Sequence, residues 1–174
     1  MSRTQEAQVE SVQATLVRKE GWQPKIVAIF CNWCSYTGAD LAGISRLKYP
    51  AGVRIVRVMC SGRVSPAFVL KAFHQGADGV LIGGCHPGDC HYLEGNYKTL
   101  KRKLVFERLL EQFGIEKARF RLEWISGGEG DKFARVANEM YKEVEALGPL
   151  GSTADRLMRA DGLSLRTEGG AGNA

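Results

Sequence analysis

Five cysteines, Cys31, Cys34, Cys60, Cys85 and Cys90, are the residues of this 174-residue chain whose type and spacing could do chemistry. Cys31 and Cys34 belong to a Cys-Asn-Trp-Cys run directly after the apolar segment Lys25 to Phe30, where a buried strand should end and a helix begin. Cys60 follows Val53 to Met59, and Cys85 and Cys90 follow Gly79 to Ile82, so each stands just past another apolar run. Thiolates are soft ligands that select zinc, copper(I) or iron-sulfur clusters. Thiols converging on one edge of a sheet would therefore make a metal or redox site.

The compartment sharpens this reading. No apolar run reaches the length that crosses a bilayer, and the first twenty residues lack the apolar core of a secretory signal. A reducing cytoplasm is the expected location, with no membrane partner. Disulfides are rare there, and an odd number of cysteines cannot pair completely. A structural zinc would normally show two close pairs, whereas here a lone Cys60 stands between Cys31-Cys34 and Cys85-Cys90. A zinc-stabilised interaction module is therefore the alternative rather than the first choice. A thiol-disulfide oxidoreductase using Cys31 and Cys34 at a helix N-terminus ranks third, because it leaves Cys60, Cys85 and Cys90 without a role. His86 and His91 each directly follow a cysteine, which is not the interval of a Rieske site, so they are read as loop residues bonding to backbone or to a cluster sulfur. Trp33 is read as packing over the sheet end, and His74 as a surface or packing residue. No nucleophile-base pair, paired carboxylates or phosphate-binding glycine motif occurs in usable spacing.

The elements that must position the thiols can be read in order. Lys25 to Phe30 reads as a strand buried on both faces. Ser35 to Lys48 carries Leu41, Ile44 and Leu47 at helical spacing, with Ser35 or Thr37 as caps. Val53 to Met59 is the second strand. Ser65-Pro66 starts a helix with Val69, Ala72 and Phe73 as its buried stripe and Gly76 as its stop. Gly79 to Ile82 is the third strand, and the loop from Gly83 to His91 follows. In that loop Gly83, Gly84 and Gly88 are the candidate cofactor-approach positions, where backbone could come close to a cluster and offer amide hydrogen bonds. Tyr92 to Phe113 is a longer helix with Leu93, Tyr97, Leu100, Leu104 and then Leu109 to Phe113 as its stripe, closed by Gly114. Arg119 to Ile125 alternates, with Phe120, Leu122 and Trp124 on one side and Arg119, Arg121 and Glu123 on an exposed side, as at a sheet edge. After the loop Gly127 to Gly130, a last helix carries Phe133, Val136, Ala137, Met140, Tyr141, Val144 and Leu147 up to Gly148-Pro149.

Strands alternating with helices imply an α/β fold: a small doubly wound, flavodoxin-like sheet of about four parallel strands, order 2-1-3-4, with helices on both faces. Residues 23–150 would form this domain. Residues 1–22 would be a helical extension, with Val9, Val12, Leu16 and Val17 as its apolar stripe, and 151–174 a flexible tail. In that order every cysteine falls at the carboxyl edge, where neighbouring strand ends are about 5 Å apart and their loops could wrap one small cluster. The net charge of +5 comes from dispersed basic residues. The densest group, Lys98, Lys101, Arg102 and Lys103, runs into Glu107, Arg108 and Glu111 and reads as a solvated helix face, so no nucleic-acid partner is expected.

Phe30-Cys31-Asn32-Trp33-Cys34-Ser35-Tyr36, Val58-Met59-Cys60-Ser61-Gly62-Arg63 and Gly83-Gly84-Cys85-His86-Pro87-Gly88-Asp89-Cys90-His91-Tyr92 closely resemble the iron-sulfur delta subunit of methyl-viologen-reducing hydrogenase. The likeness runs in order from about Lys25 to Leu147 and includes Trp124-Ile125-Ser126. The resemblance implies a two-iron, two-sulfur (2Fe-2S) cluster and a non-catalytic role as an electron-transfer subunit. It would connect a hydrogenase or formate dehydrogenase to the flavin-bearing subunit of a heterodisulfide reductase. All five family cysteines have a match here, while such a cluster takes four protein ligands. One thiol is therefore left outside the ligand set, and the sequence does not say which. The segment up to Gly21 and the tail after Pro149 depart from the family pattern.

Overall fold

The computed structural model of the protein describes residues 21–151, so the readings of an N-terminal helix with Val9, Val12, Leu16 and Val17 and of a C-terminal tail lie outside the described residues. The strands are β1 (Ile26–Cys31), β2 (Val53–Val58), β3 (Gly79–Gly84) and β4 (Phe120–Trp124). The helices are α1 (Ser35–Ile44), α2 (Pro66–His74), α3 (Gly95–Gln112) and α4 (Gly130–Leu147). The sheet order is β2-β1-β3-β4 with every pairing parallel, as expected for the doubly wound class. The register pairs Ile26 with both Val53 and Gly79, and Val80 with Phe120. Alternate residues of β1 serve opposite layers, as the strand period of two requires. Ile26, Ala28 and Phe30 pack with Ala39, Ala42, Phe133 and Met140 of α1 and α4, while Ile29 joins Val69, Phe73, Phe106 and Leu110 of α2 and α3.

Three expectations are corrected. The apolar stripe expected on the first helix is not its buried face: Ile44 is 74% exposed, the helix ends there, and Ser35, Gly38, Ala39 and Ala42 are buried instead. Close packing explains this. A Cβ on Gly38 would lie 2.7 Å from the Ser126 carbonyl oxygen, and one on Gly130 of α4 would lie 2.9 Å from the Ala42 nitrogen, so only small residues fit the contact.

The first part of the α3 stripe, Leu93 to Leu104, is likewise turned outward, while Leu110 of its last part is buried as expected. Leu93, which precedes the helix, is 82% exposed and Leu104 is 64% exposed, whereas Asn96, Thr99, Phe106 and Leu110 face inward. The helix starts at Gly95 rather than Tyr92, because its first turn is set by polar bonds. Asn96 Nδ2 donates to the carbonyls of Cys85 (3.3 Å) and His86 (2.7 Å), and Thr99 Oγ1 donates to Ser61 Oγ (3.0 Å).

Arg119, expected on an exposed side, is fully buried. It lies in a short 3-10 turn, Lys117–Arg119, just before β4. There it donates to Glu116 Oε2 (2.7 Å) and to the carbonyls of Asp78 (3.0 Å) and Gly148 (2.8 Å), tying the bottom of the sheet to the end of α4. β4 is an edge strand, but Arg121 on it is bonded to Glu139 and Glu143 of α4.

Candidate metal centre

Parallel strands bring their carboxyl ends to one edge, and the cysteines lie there. Cys31 is the last residue of β1, paired with Val58 at the end of β2, and Cys60 comes two residues beyond Val58. Cys34 is the N-cap residue of α1, Cys85 follows Gly84, and Cys90 lies in the loop before α3. Four of these thiols are buried, Cys60 is half-buried, and every one is free of disulfide bonding.

The sulfurs fall into two groups. Cys31, Cys34 and Cys85 have Sγ atoms within 4.8 Å of one another, with Cys31 and Cys85 at 3.7 Å. Cys60 and Cys90 are 4.0 Å apart. Cys31 Sγ also lies 3.6 Å from the Met59 carbonyl, next to Cys60 in the chain.

The surrounding backbone is built for these sulfurs. Ser35 Oγ accepts from the Cys31 amide at 2.9 Å, fixing the β1 end, and the Gly62 amide donates to Cys60 Sγ at 3.4 Å. Gly95, the first residue of α3, faces the second pair: a Cβ there would lie 2.1 Å from Cys60 Sγ and 3.1 Å from Cys90 Sγ. Gly62 in turn permits contact with Gly95, since its Cβ would meet the Gly95 carbonyl oxygen at 2.7 Å. Neither Gly62 nor Gly95 stands out in the sequence, and nor does Asn96, whose side chain holds the Cys85-His86 backbone.

The glycines singled out for cofactor approach sit differently. Gly83 and Gly84 are residues of β3, not of a loop. The space of a Cβ at Gly83 is taken by Phe30 and Ser35, and at Gly84 by Trp124 and Ser61. Their small size serves packing within the domain. Gly88 has φ +95, a left-handed backbone that favours glycine, and a Cβ added there would meet nothing within 4 Å.

The thiols perturb one another. The Cys34 thiol bonded to Cys31 holds Cys31 down to about 5, against an ordinary value of 9.0 and against the opposing effect of burial. The same contact, with burial, pushes Cys34 up. Burial raises Cys85 to about 11 and also raises Cys60. These shifts favour the thiolate at Cys31 over the other two thiols, from which a bound metal would displace protons.

The histidines act as structural residues. His86 Nε2 lies 2.6 Å from Glu129 Oε2, and that oxygen also accepts from the Ser126 amide at 2.7 Å. The Ser126 amide and His86 hold the Glu129 carboxyl down to about 2. His91 stacks on Trp33 with ring centroids 3.9 Å apart, and Trp33 Nε1 donates to Tyr92 Oη at 3.2 Å. Trp33 therefore packs against the Cys90 loop, while remaining 47% exposed.

Among the described residues no helix is long and apolar enough to cross a membrane. Residues 26–148 match the family model described as "Methyl-viologen-reducing hydrogenase, delta subunit". The chain is 57% identical over 130 residues to a vhc iron-sulfur subunit of F420-non-reducing hydrogenase from Methanococcus voltae, covering 75% of this chain and 90% of that protein. It is also 57% identical over 130 residues to an iron-sulfur subunit of F420-non-reducing hydrogenase from Archaeoglobus profundus, 75% of this chain and 95% of that one. A third similarity, 46% over 140 residues, is to a subunit of the ferredoxin:CoB-CoM heterodisulfide reductase of Methanosarcina mazei, covering 80% of this chain but only 18% of that protein. With its thiol-bearing sheet edge and a family match spanning most of its length, this chain belongs to the methyl-viologen-reducing hydrogenase delta-subunit family.

Proposed function

We propose that the protein is an electron-transfer subunit carrying a 2Fe-2S cluster on four of Cys31, Cys34, Cys60, Cys85 and Cys90. The observation that carries this reading is the gathering of five thiols from three strand ends at one sheet edge. The donor set suits the group: iron-sulfur clusters are held by thiolates, and here every donor is sulfur. The cluster would supply one-electron transfer. The chain's own residues would supply the ligands, exclude water by burial of the thiols, and donate the Gly62 amide to the Cys60 sulfur.

The cluster would relay electrons in the cytoplasm between a hydrogenase or formate dehydrogenase and the flavin-bearing subunit of a heterodisulfide reductase. Two relatives named as hydrogenase iron-sulfur subunits support the first side. The Methanosarcina mazei relative supports the second, since there the similar segment is one part of a heterodisulfide reductase subunit. Residues 23–150 would form the cluster domain.

Protein purified without oxygen should contain about two iron and two acid-labile sulfide per chain. After dithionite reduction it should give the EPR signal of a reduced two-iron cluster. Colourless protein with stoichiometric zinc and no sulfide would overturn the proposal in favour of a zinc-stabilised interaction module.

A further inference from the structure

Two sulfurs bound tetrahedrally to one metal by bonds of about 2.3 Å lie about 3.8 Å apart. Two contacts among the five thiols have this spacing, Cys31-Cys85 at 3.7 Å and Cys60-Cys90 at 4.0 Å. A two-iron cluster takes two protein sulfurs on each iron, so these pairs supply a complete ligand set. Each pair is held by its own backbone. Cys31 and Cys85 leave the ends of adjacent strands β1 and β3, with the Cys31 amide fixed by Ser35 and the Cys85 carbonyl by Asn96. Cys60 and Cys90 flank the bare Cα of Gly95, which only a residue without Cβ leaves room for. The pairs adjoin each other through Cys31, whose sulfur lies 3.6 Å from the carbonyl of Met59, the neighbour of Cys60. Cys34 is the remaining sulfur. It stands within 4.8 Å of Cys31 and Cys85, beside a position that needs only two thiolates, and it leaves from the α1 N-cap rather than from a strand end.

We propose that Cys31 and Cys85 bind one iron, that Cys60 and Cys90 bind the other, and that Cys34 binds none. This assignment rests on the cluster reading above. It sets aside the usual expectation that both members of a Cys-x-x-Cys run are ligands.

The test uses the full chain prepared without oxygen, with Cys34→Ala, Cys34→Ser and alanine at each of the other four cysteines. Iron, sulfide and EPR line shape are read for each, with circular dichroism to check folding. Both Cys34 variants should keep the iron and sulfide content and the EPR line shape of the parent. Each of the other alanine variants should lose the cluster. Cluster loss in a natively folded Cys34→Ser protein would overturn the assignment, as would a parental spectrum after replacing Cys31, Cys60, Cys85 or Cys90. A parent protein lacking sulfide would instead remove the cluster reading itself, and this assignment with it.

Discussion

Gly95→Ala separates a glycine kept for the fold from one kept for the thiols. The added methyl would lie 2.1 Å from Cys60 Sγ and 3.1 Å from Cys90 Sγ, well inside contact distance, so the thiols must move. In the metal-free protein that movement is cheap: a thiol can turn about χ1 for about 0.5–1.5 kcal/mol. Alanine in a helix gains about 1 kcal/mol over glycine, and Gly95 is the first residue of α3. The two effects nearly cancel, so the metal-free variant should unfold within about 1 kcal/mol of the parent. A ligated Cys60 cannot turn away without leaving its metal, so iron content should collapse in the same variant. Gly43→Ala is the control. Gly43 lies in α1, is exposed and has nothing within 4 Å of the added methyl, so it should stabilise by about 1 kcal/mol and leave iron unchanged. The assays are urea unfolding of metal-free protein and iron per chain after anaerobic loading. A Gly95→Ala protein with the parent's iron content and EPR spectrum would refute the reasoning.

Leu93 combines φ +66 with 82% exposure, so Leu93→Gly should raise stability by about 1 kcal/mol through relief of the left-handed backbone, seen as a higher urea midpoint. Arg119→Leu should destabilise by about 3 kcal/mol, because the carbonyls of Asp78 and Gly148 lose this donor and Glu116 loses one ion pair; a change under about 1 kcal/mol would show that the network is dispensable. Glu129, with its carboxyl held down to about 2 from 4.5, contributes stability that is complete above about pH 4.5 and is lost as pH falls toward 2. The side chain is 34% exposed, so screening keeps this contribution small. Glu129→Gln should flatten the acid limb of the stability curve over that window, and an unchanged limb would show that the Ser126 and His86 contacts do not favour the ionised form.

Much of the sheet was legible because its signals are local and strong. Ile26 to Phe30 is apolar without a break, as a central parallel strand must be, and Ser65-Pro66 supplied both a cap position and a first helical residue. Alternation of strands and helices then left few orders, and the observed one places every cysteine at the carboxyl edge. The faces of α1 and α3 were not legible, because periodicity weighs large apolar residues. In α1 the contact with α4 is so close that Gly38, Ala39 and Ala42 occupy it, and no pattern of leucines marks such a face. In α3 the buried face opens with Asn96 and Thr99, which read as polar and therefore outward, but their partners are fixed atoms of the thiol loops.

The site shows the same division between what a residue type announces and what its neighbours decide. Cysteines announce themselves by chemistry, so the set of five could be collected from spacing alone. Their division into a group of three and a pair is set by backbone approach. Gly62 lies against Gly95, and Gly95 leaves room for Cys60 and Cys90, so the start of α3 is pressed onto the second pair. Asn96, the next residue, bonds back to Cys85 and His86 beside the first group. One turn of helix thereby lies against the sulfurs of the second pair and holds the backbone beside the first group. A shift of α3 would therefore bear on both groups at once, through Gly95 on the second pair and through Asn96 on the backbone beside the first.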